Sequence, residues 1–301
     1  MSHTTPSPRT RRSARAAVGA AAIGLLLAVG LTGCHAGADT ASAKQSATAS
    51  ASATPTAAPS TAPSAAAVAA LPEAKYNAVI GGLLPSYEPD VPKAADHAYT
   101  ITADAPLYGD DKTTPVARFA AHNFLGQPSV IVPVRFDGAW ALVMTPARQA
   151  LPSATNGAAA AQTVAWIRRD LLTRGDALPD HVVVAVGAQT VSIVDHDGTT
   201  LHQFPAGIGA GGTPTPTGIA GYIQARYLDP AQDQTVHPIN LTSLHSAAAD
   251  EPYGGDDGGL IGVHYESVAR GAVSHGCVRL DGDAVDAVNQ LPLGTVVQIV
   301  A

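Results

Sequence analysis

The sequence Ser274-His275-Gly276-Cys277-Val278-Arg279-Leu280 contains one of the two cysteines of this 301-residue chain. The other, Cys34, follows an apolar N-terminal run that is typical of an export signal. An exported thiol without a disulfide partner is open to oxidation, so its presence indicates a working nucleophile. A buried, inert cysteine is the alternative, and the polar and glycine neighbours of Cys277 argue against it.

The residues around Cys277 have the pattern of a reactive turn. In an extended chain, side chains two positions apart share a face, which predicts that His275, Cys277 and Arg279 lie together. Gly276 permits a sharp bend, so that successive N–H groups can form an oxyanion hole. A second candidate base, His264, ends an apolar run thirteen positions before Cys277.

This motif resembles the signature of the L,D-transpeptidases with a YkuD-type catalytic domain. Thr213-Pro-Thr-Pro-Thr-Gly218 is similar to a segment that comes earlier in those domains, and the resemblance covers about residues 179–301. It implies a mostly β catalytic domain that acts on peptidoglycan stem peptides without a cofactor. The thiolate would attack the carbonyl of the third residue of a tetrapeptide stem and release D-Ala. The amine of a neighbouring stem would then resolve the thioester to a 3→3 cross-link.

The resemblance also implies roles for single residues. Cys277 would be the nucleophile and His264 the general base, with the backbone carbonyl of Tyr265 orienting that base. The amides around His275 to Cys277 would form the oxyanion hole, and Arg279 would support the site or the substrate. Tyr265 is a second candidate residue for substrate binding.

Two histidines compete for the role of base. His264 comes from a separate strand and is preferred, whereas His275 lies in the turn of Cys277 and has a structural alternative, holding that turn by hydrogen bonds. Ser274 and Gly276 complete the catalytic motif. The chain departs from the family in a shorter spacing between His264 and Cys277, and in Tyr265, which replaces a small residue.

Three other functions remain open from the sequence. Hydrolysis of the same thioester would give an L,D-carboxypeptidase, and loss of catalysis would leave a wall-binding lipoprotein. The 11 histidines allow a metalloenzyme, but no His-Glu-x-x-His or paired-Cys spacing occurs, so no metal site is predicted. A net charge of −7 without a basic stripe argues against nucleic acid as a partner.

The N-terminus has the pattern of an address signal. Four arginines precede the apolar run 18–29, which is too short to span a bilayer comfortably. Leu31-Thr32-Gly33-Cys34 resembles the lipobox of bacterial lipoproteins, which implies cleavage before Cys34 and a lipid anchor on the outer face of the membrane, facing the wall. An ordinary secretory signal is the alternative, and Arg11-Arg12 leaves twin-arginine export open.

Composition divides the rest of the chain. Residues 1–34 are the signal, and residues 35–70, almost entirely Ala, Ser, Thr and Pro, form a tether that cannot bury a core. Residues 71–95 connect it to short β-type runs in 96–172, which resemble the SH3-like modules of cell-wall enzymes, as a wall-binding unit or a spacer. The runs lie at 99–102, 116–119, 129–136, 140–144 and 163–167, with a hairpin turn at Asp137-Gly138 and a loop at 147–161.

The catalytic domain is predicted over 179–301. Strands are expected at 181–186, 190–194, 199–204 and 295–300, and Asp283 is expected to cap a helix with the apolar residues Ala284, Val285, Val288 and Leu291. The glycine-rich stretch 207–212 lacks Gly-Lys-Ser/Thr and a following helix, so a phosphate loop is rejected. The predicted fold is therefore mostly β: a YkuD-like sandwich or barrel with one or two short helices, after a small SH3-like module.

Overall fold

The computed structural model of this chain describes residues 62–250 and 259–301. Strands dominate these residues, and the prediction of a mostly β chain with one or two short helices is confirmed. The lipobox and most of the tether predicted at 35–70 lie outside the described residues. Within the described part, no helix is long and apolar enough to cross a membrane.

The part that precedes residue 178 holds one short helix and eight strands. They are α1 (Ala65–Ala69), β1 (Leu84–Ser86), β2 (His97–Thr100), β3 (Ala105–Tyr108), β4 (Pro115–Phe119), β5 (Pro133–Asp137), β6 (Trp140–Thr145), β7 (Gln162–Arg168) and β8 (Thr173–Ala177). Strands β4-β3-β7-β6-β5 form one sheet with β1 also paired to β7, and β2 pairs with β8. The strand runs predicted here are present with shifted ends, whereas β1, β3 and β8 were not predicted.

The hairpin expected at Asp137-Gly138 joins β5 to β6. Asp137 pairs with Trp140, and Gly138 adopts a φ of +56°, a conformation in which a side chain is strained. Behind this hairpin β6 and β7 are buried almost throughout, because their Ala and Val side chains pack into one core with Leu107 and Ile131.

The part from residue 180 onward builds the sheet that carries the motif. Its elements are β9 (Asp180–Ala185), β10 (Thr190–Asp195), β11 (Thr200–Pro205), β12 (Gly207–Gly209), β13 (Ile219–Asp229), β14 (Gln234–His245), β15 (Leu260–Tyr265), β16 (Gly271–Ser274), β17 (Val278–Leu280), α2 (Gly282–Asn289) and β18 (Val296–Val300). The strand order is β11-β10-β9-β18-β13-β14-β15-β17-β12-β16. The glycine-rich stretch thus begins in β12 and leads into β13.

Helix α2 covers the core behind the motif. Val285 and Val288 are fully buried, and burying a side chain of this size stabilises the fold by roughly 1.5–3 kcal/mol. The predicted cap is wrong: Asp281, not Asp283, accepts the hydrogen bond from the Ala284 N–H. Asp283 lies one residue inside the helix, where its carboxylate faces the positive end of the helix dipole.

Candidate active site

The parallel pair β15 and β17 places the motif residues. Val263 is in register with Val278, and His264 with Arg279. Val263 and Val278 are fully buried, so the residues that alternate with them point to the opposite face. Continuing the same register by one step sets Gly262 beside Cys277. On this face, Gly262 and His264 therefore form one row, and Cys277 and Arg279 form the row beside it.

A cleft of about 600 Å³ opens on this face. Gly262, His264, Cys277 and Arg279 all line it, and Leu241 from β14 adds an apolar wall. Binding sites for small molecules commonly have volumes of about 300–1,000 Å³, so the cleft has room for a peptide segment.

The thiol of Cys277 is half-buried at the floor of the cleft. The Gly262 N–H donates to its sulfur over 3.4 Å, and the thiol donates to the Leu260 carbonyl over 3.7 Å. An N–H donor and a nearby positive charge both stabilise a thiolate. A Cβ at Gly262 would already contact the sulfur at 3.9 Å, so glycine leaves the nucleophile accessible.

Ser274 closes the turn that precedes Cys277. Its buried hydroxyl donates to the Cys277 carbonyl over 2.5 Å and accepts from the Gly276 N–H over 3.3 Å. Gly276 has a φ of +116°, and a Cβ there would meet Ile261 Cδ1 at 3.2 Å. This position therefore requires glycine.

The segment Thr213–Gly218 holds the turn that precedes Cys277 through side-chain hydrogen bonds. Thr215 Oγ1 donates to the Gly276 carbonyl over 2.7 Å and accepts from the Gly209 N–H over 3.1 Å. Thr213 Oγ1 donates to the Ser274 carbonyl over 3.3 Å. The segment that the sequence identified only by resemblance thus has a physical role, which is to fix the backbone of the nucleophile turn.

His275 does not join Cys277 and Arg279 on the cleft wall, as the two-residue alternation predicted. Its side chain is exposed, and the described residues that line the cleft do not include it. The positive φ of Gly276 interrupts the extended backbone, so the alternation does not carry across the turn. Arg279 does line the cleft, because β17 restores the alternation after Cys277.

His264 has the geometry of a neutral base. Its Nδ1 lies 3.0 Å from the Tyr265 carbonyl, the contact that the resemblance implied. That contact places the proton on Nδ1 and leaves Nε2 as the acceptor. Burial lowers the pKa of His264; the Tyr265 carbonyl and Glu266 act in the opposite direction, and the charge of Arg279 lowers the pKa further.

Gln234 is a site residue that sequence reasoning missed. It is 5% exposed, lines the cleft, and its Nε2 donates to the same Tyr265 carbonyl over 3.0 Å. Its Oε1 has no hydrogen-bond partner among the described residues. Gln234 begins β14 beside its hairpin with β13 and lies 31 positions before Tyr265, so no local pattern could have identified it.

The side chain of Tyr265 faces away from the cleft. Alternation along β15 sets it opposite to His264, and its ring packs against His237 with centroids 4.9 Å apart. The ring of Tyr265 is therefore not among the side chains that line the cleft, and the residue serves the site through its carbonyl. Among the residues that the structure describes, no group of His, Cys, Asp and Glu could hold a metal ion.

Comparison with known proteins identifies the part of the chain that carries this site. Residues 179–299 match the family model of YkuD, the L,D-transpeptidase catalytic domain, so the resemblance drawn from the motif is confirmed for this part. A search of curated proteins gives no match.

Three solved structures similar to the chain are mycobacterial L,D-transpeptidases. L,D-transpeptidase 1 of Mycobacterium tuberculosis is 16% identical over 46% of this chain and 78% of its own, with a TM-score of 0.31. An L,D-transpeptidase from Mycobacterium tuberculosis H37Rv is 16% identical over 57% and 90%, with a TM-score of 0.35. One from Mycobacterium smegmatis is 17% identical over 74% and 94%, with a TM-score of 0.33. The assignment of residues 179–299 rests on the family match.

Proposed function

We propose that this chain, whose residues 179–299 match the YkuD L,D-transpeptidase catalytic domain, forms 3→3 cross-links in peptidoglycan through a thioester on Cys277. One observation carries the proposal. Cys277 and His264 lie on neighbouring parallel strands and line the same cleft, with the imidazole fixed as a neutral base.

The first step would acylate the enzyme. His264 Nε2 takes the proton of the Cys277 thiol, and the thiolate attacks the carbonyl carbon of the third stem residue. Backbone amides of the turn 275–277 would stabilise the oxyanion that forms. When the C–N bond to the terminal D-Ala breaks, the proton on His264 passes to the leaving amine, and the stem is left as a thioester.

The second step would transfer the acyl group. The side-chain amine of a neighbouring stem attacks the thioester, gives its proton to His264 and expels the thiolate as the new amide forms. Asp229 and Glu266 also line the cleft, and their negative charge favours the approach of a cationic amine. The ammonium group must release one proton before its nitrogen can attack the thioester.

The lipobox supports a further proposal, that Cys34 carries a lipid and anchors the chain at the outer face of the membrane. Detergent partitioning of the wild-type protein and of Cys34→Ala tests it. The proposal requires the wild-type protein in the detergent phase and Cys34→Ala in the aqueous phase; wild-type protein found soluble would contradict it.

The test of the proposed reaction is to weigh its products. Full-length protein in detergent is incubated with a tetrapeptide stem, with and without an amine acceptor, and the products are identified by mass spectrometry. We expect a cross-linked product that requires the acceptor, and none from Cys277→Ala. Tripeptide alone would identify a carboxypeptidase, and stem binding without any product would identify a non-catalytic wall protein.

A further inference from the structure

Three aromatic side chains form one wall of the cleft that contains Cys277. This aromatic wall consists of Tyr76, Phe124 and Tyr227. The rings of Tyr76 and Phe124 meet edge to face with centroids 4.9 Å apart, and those of Phe124 and Tyr227 do so at 5.7 Å. Tyr76 and Phe124 lie outside the matched segment 179–299, so the family domain alone does not supply this wall.

The chain around Tyr76 is hydrogen-bonded to the sheet that carries Cys277 and His264. The Tyr76 carbonyl accepts a hydrogen bond from His245 Nε2 over 2.8 Å, and His245, at the end of β14, is 1% exposed. A buried imidazole that keeps this bond holds Tyr76 at a constant place beside the cleft. The aromatic wall therefore has a fixed position in the cleft.

The sheet register gives the distance from the wall to the reacting groups. Tyr227 pairs with Ile239 across β13 and β14, and the register of β14 with β15 then sets Ile239 beside His264. Neighbouring strands lie about 4.8 Å apart, so Tyr227 lies about 10 Å from His264 and roughly 14 Å from Cys277, which stands one strand further along the sheet.

We propose that the aromatic wall binds the N-acetylated amino sugar to which the donor stem peptide is attached. The proposal rests on the proposed function, because it takes the third stem residue to be at Cys277. The third stem residue and the two before it then separate the reacting carbonyl from the lactyl group of the sugar. Three extended residues span about 10–11 Å and the lactyl group adds about the length of one more, so the sugar reaches the roughly 14 Å at which the wall begins.

The chemistry of the wall fits a sugar ring. Phe124 is 42% exposed, so part of its ring is accessible to a ligand in the cleft. The faces of aromatic rings carry negative charge density, which attracts the C–H groups on the face of a pyranose. Asp229 and Gln232 line the same cleft and provide polar groups for hydroxyl and acetamido groups.

The test compares two ligands on one protein. Binding of a disaccharide-tetrapeptide and of the free tetrapeptide is measured by calorimetry on the full-length Cys277→Ala protein, which cannot turn them over. We expect the disaccharide ligand to bind more tightly. Adding Phe124→Ala should weaken its binding about 2- to 10-fold and leave the free tetrapeptide unchanged.

Two variants control the substitution. Leu125→Ala removes the next side chain, which is similarly exposed at 37% but does not line the cleft, and it should leave both affinities unchanged. Phe124→Tyr keeps the ring and should retain the preference for the sugar-bearing ligand. Thermal unfolding confirms that each variant is folded.

The inference is overturned if the two ligands bind equally well, if the preference survives Phe124→Ala, or if Phe124→Ala weakens both ligands equally, which would assign the wall to the peptide. Failure of the proposed reaction appears separately, as wild-type protein that binds both ligands and forms no product.

Discussion

At the scale of single residues, the proposed nucleophile and the proposed base line the same cleft. The Gly262 N–H donates to the sulfur of Cys277, whereas burial lowers the pKa of His264 and favours its neutral form near pH 7. The Tyr265 carbonyl selects the tautomer with Nε2 as acceptor. The imidazole is therefore held in the form that can accept a proton.

The two histidines of the motif should differ strongly when removed. We expect His264→Ala to lower the acylation rate about 10²–10⁴-fold, the usual contribution of a general base. His275→Ala should lower it far less, because His275 is exposed and is not on the cleft wall. The measurement is the rate of reaction of Cys277 with a small alkylating agent against pH.

The direction in which the alkylation rate changes with pH is also predicted. Because the pKa of His264 is lowered from its ordinary 6.5, the wild-type rate should fall only below that pH, and this limb should vanish in His264→Ala. If His264→Ala keeps the wild-type profile while His275→Ala shifts it toward that of an ordinary thiol, the two roles are reversed.

Gln234 should act through the carbonyl that orients the base. Gln234→Leu removes the donor to Tyr265 O, and we expect kcat/KM to fall about 3- to 10-fold, the value of one hydrogen bond of about 1 kcal/mol, with the low-pH limb displaced. Gln298→Leu is the matched control, since its amide also donates to a backbone carbonyl, that of Pro89, but does not line the cleft. Equal effects of the two variants would rule out a specific positioning role.

At the scale of elements, the site depends on the parallel strands β15 and β17 and on the hydrogen bonds that hold the turn before Cys277. Strand β17 has only three residues, so its position depends on β15 on one side and on β12 on the other. The Thr213–Gly218 segment, which follows β12, then fixes the turn through Thr215. The nucleophile is therefore held by elements distant from it in sequence.

Replacing Thr215 tests this support. Thr215→Val keeps the shape but leaves the Gly209 N–H and the Gly276 carbonyl without their partner, at a cost of about 1–3 kcal/mol in the free energy of unfolding for each buried group left unsatisfied. Chemical denaturation measures the loss, and carbapenem acylation should slow as well. Thr217→Val, at an exposed position of the same segment, should change neither quantity.

The sequence predicted the local features of the site, and it missed those that depend on register. The motif identified Cys277, His264 and the Tyr265 carbonyl, because they lie within one short stretch of chain. Gln234 and Phe124 reach the cleft only through contacts with residues distant in sequence, which leave no local pattern. The face assigned to His275 was wrong because a single positive φ at Gly276 breaks the alternation.

The fold shows the same division. Short strands rich in β-branched apolar residues were predicted, as in β9 and β10, whereas the long strands β13 and β14 were not. The pairing of these two strands has register shifts, and their apolar pattern is interrupted, by Gly221 and Arg226 in β13 and by Pro238 in β14. Their hairpin nevertheless contributes Tyr227, Gln234 and Leu241 to the cleft.

At the scale of the whole molecule, the cleft joins residues from inside and outside the matched catalytic segment. His245 makes one of the joining contacts, through the carbonyl of Tyr76. Burial, with a further contribution from the charge of Arg148, lowers the pKa of His245 to about 3. The histidine thus stays neutral in the folded chain and takes up a proton when the chain unfolds below its ordinary pKa of 6.5.

The difference between the pKa of His245 in the folded and in the unfolded chain predicts that the folded chain loses stability in acid. The contribution of His245 is fully present above pH 6.5 and is lost as pH falls toward 3, by up to about 1.4 kcal/mol per pH unit. His245→Gln places an amide donor near Nε2 and does not titrate, so its unfolding free energy should depend less on pH in this range. Denaturation by urea at several pH values measures both slopes, and equal slopes would contradict the prediction.

The central claim, a thioester enzyme with Cys277 as its nucleophile, is tested most directly by intact-mass spectrometry after treatment with a carbapenem. The strained lactam carbonyl imitates the donor amide, so the thiolate should open the ring and retain the acyl group. If Cys277 is the nucleophile, the wild-type protein should carry one adduct per chain, mapped to Cys277, and Cys277→Ala should carry none. No adduct on the folded wild-type protein, or an adduct that survives Cys277→Ala, would contradict it.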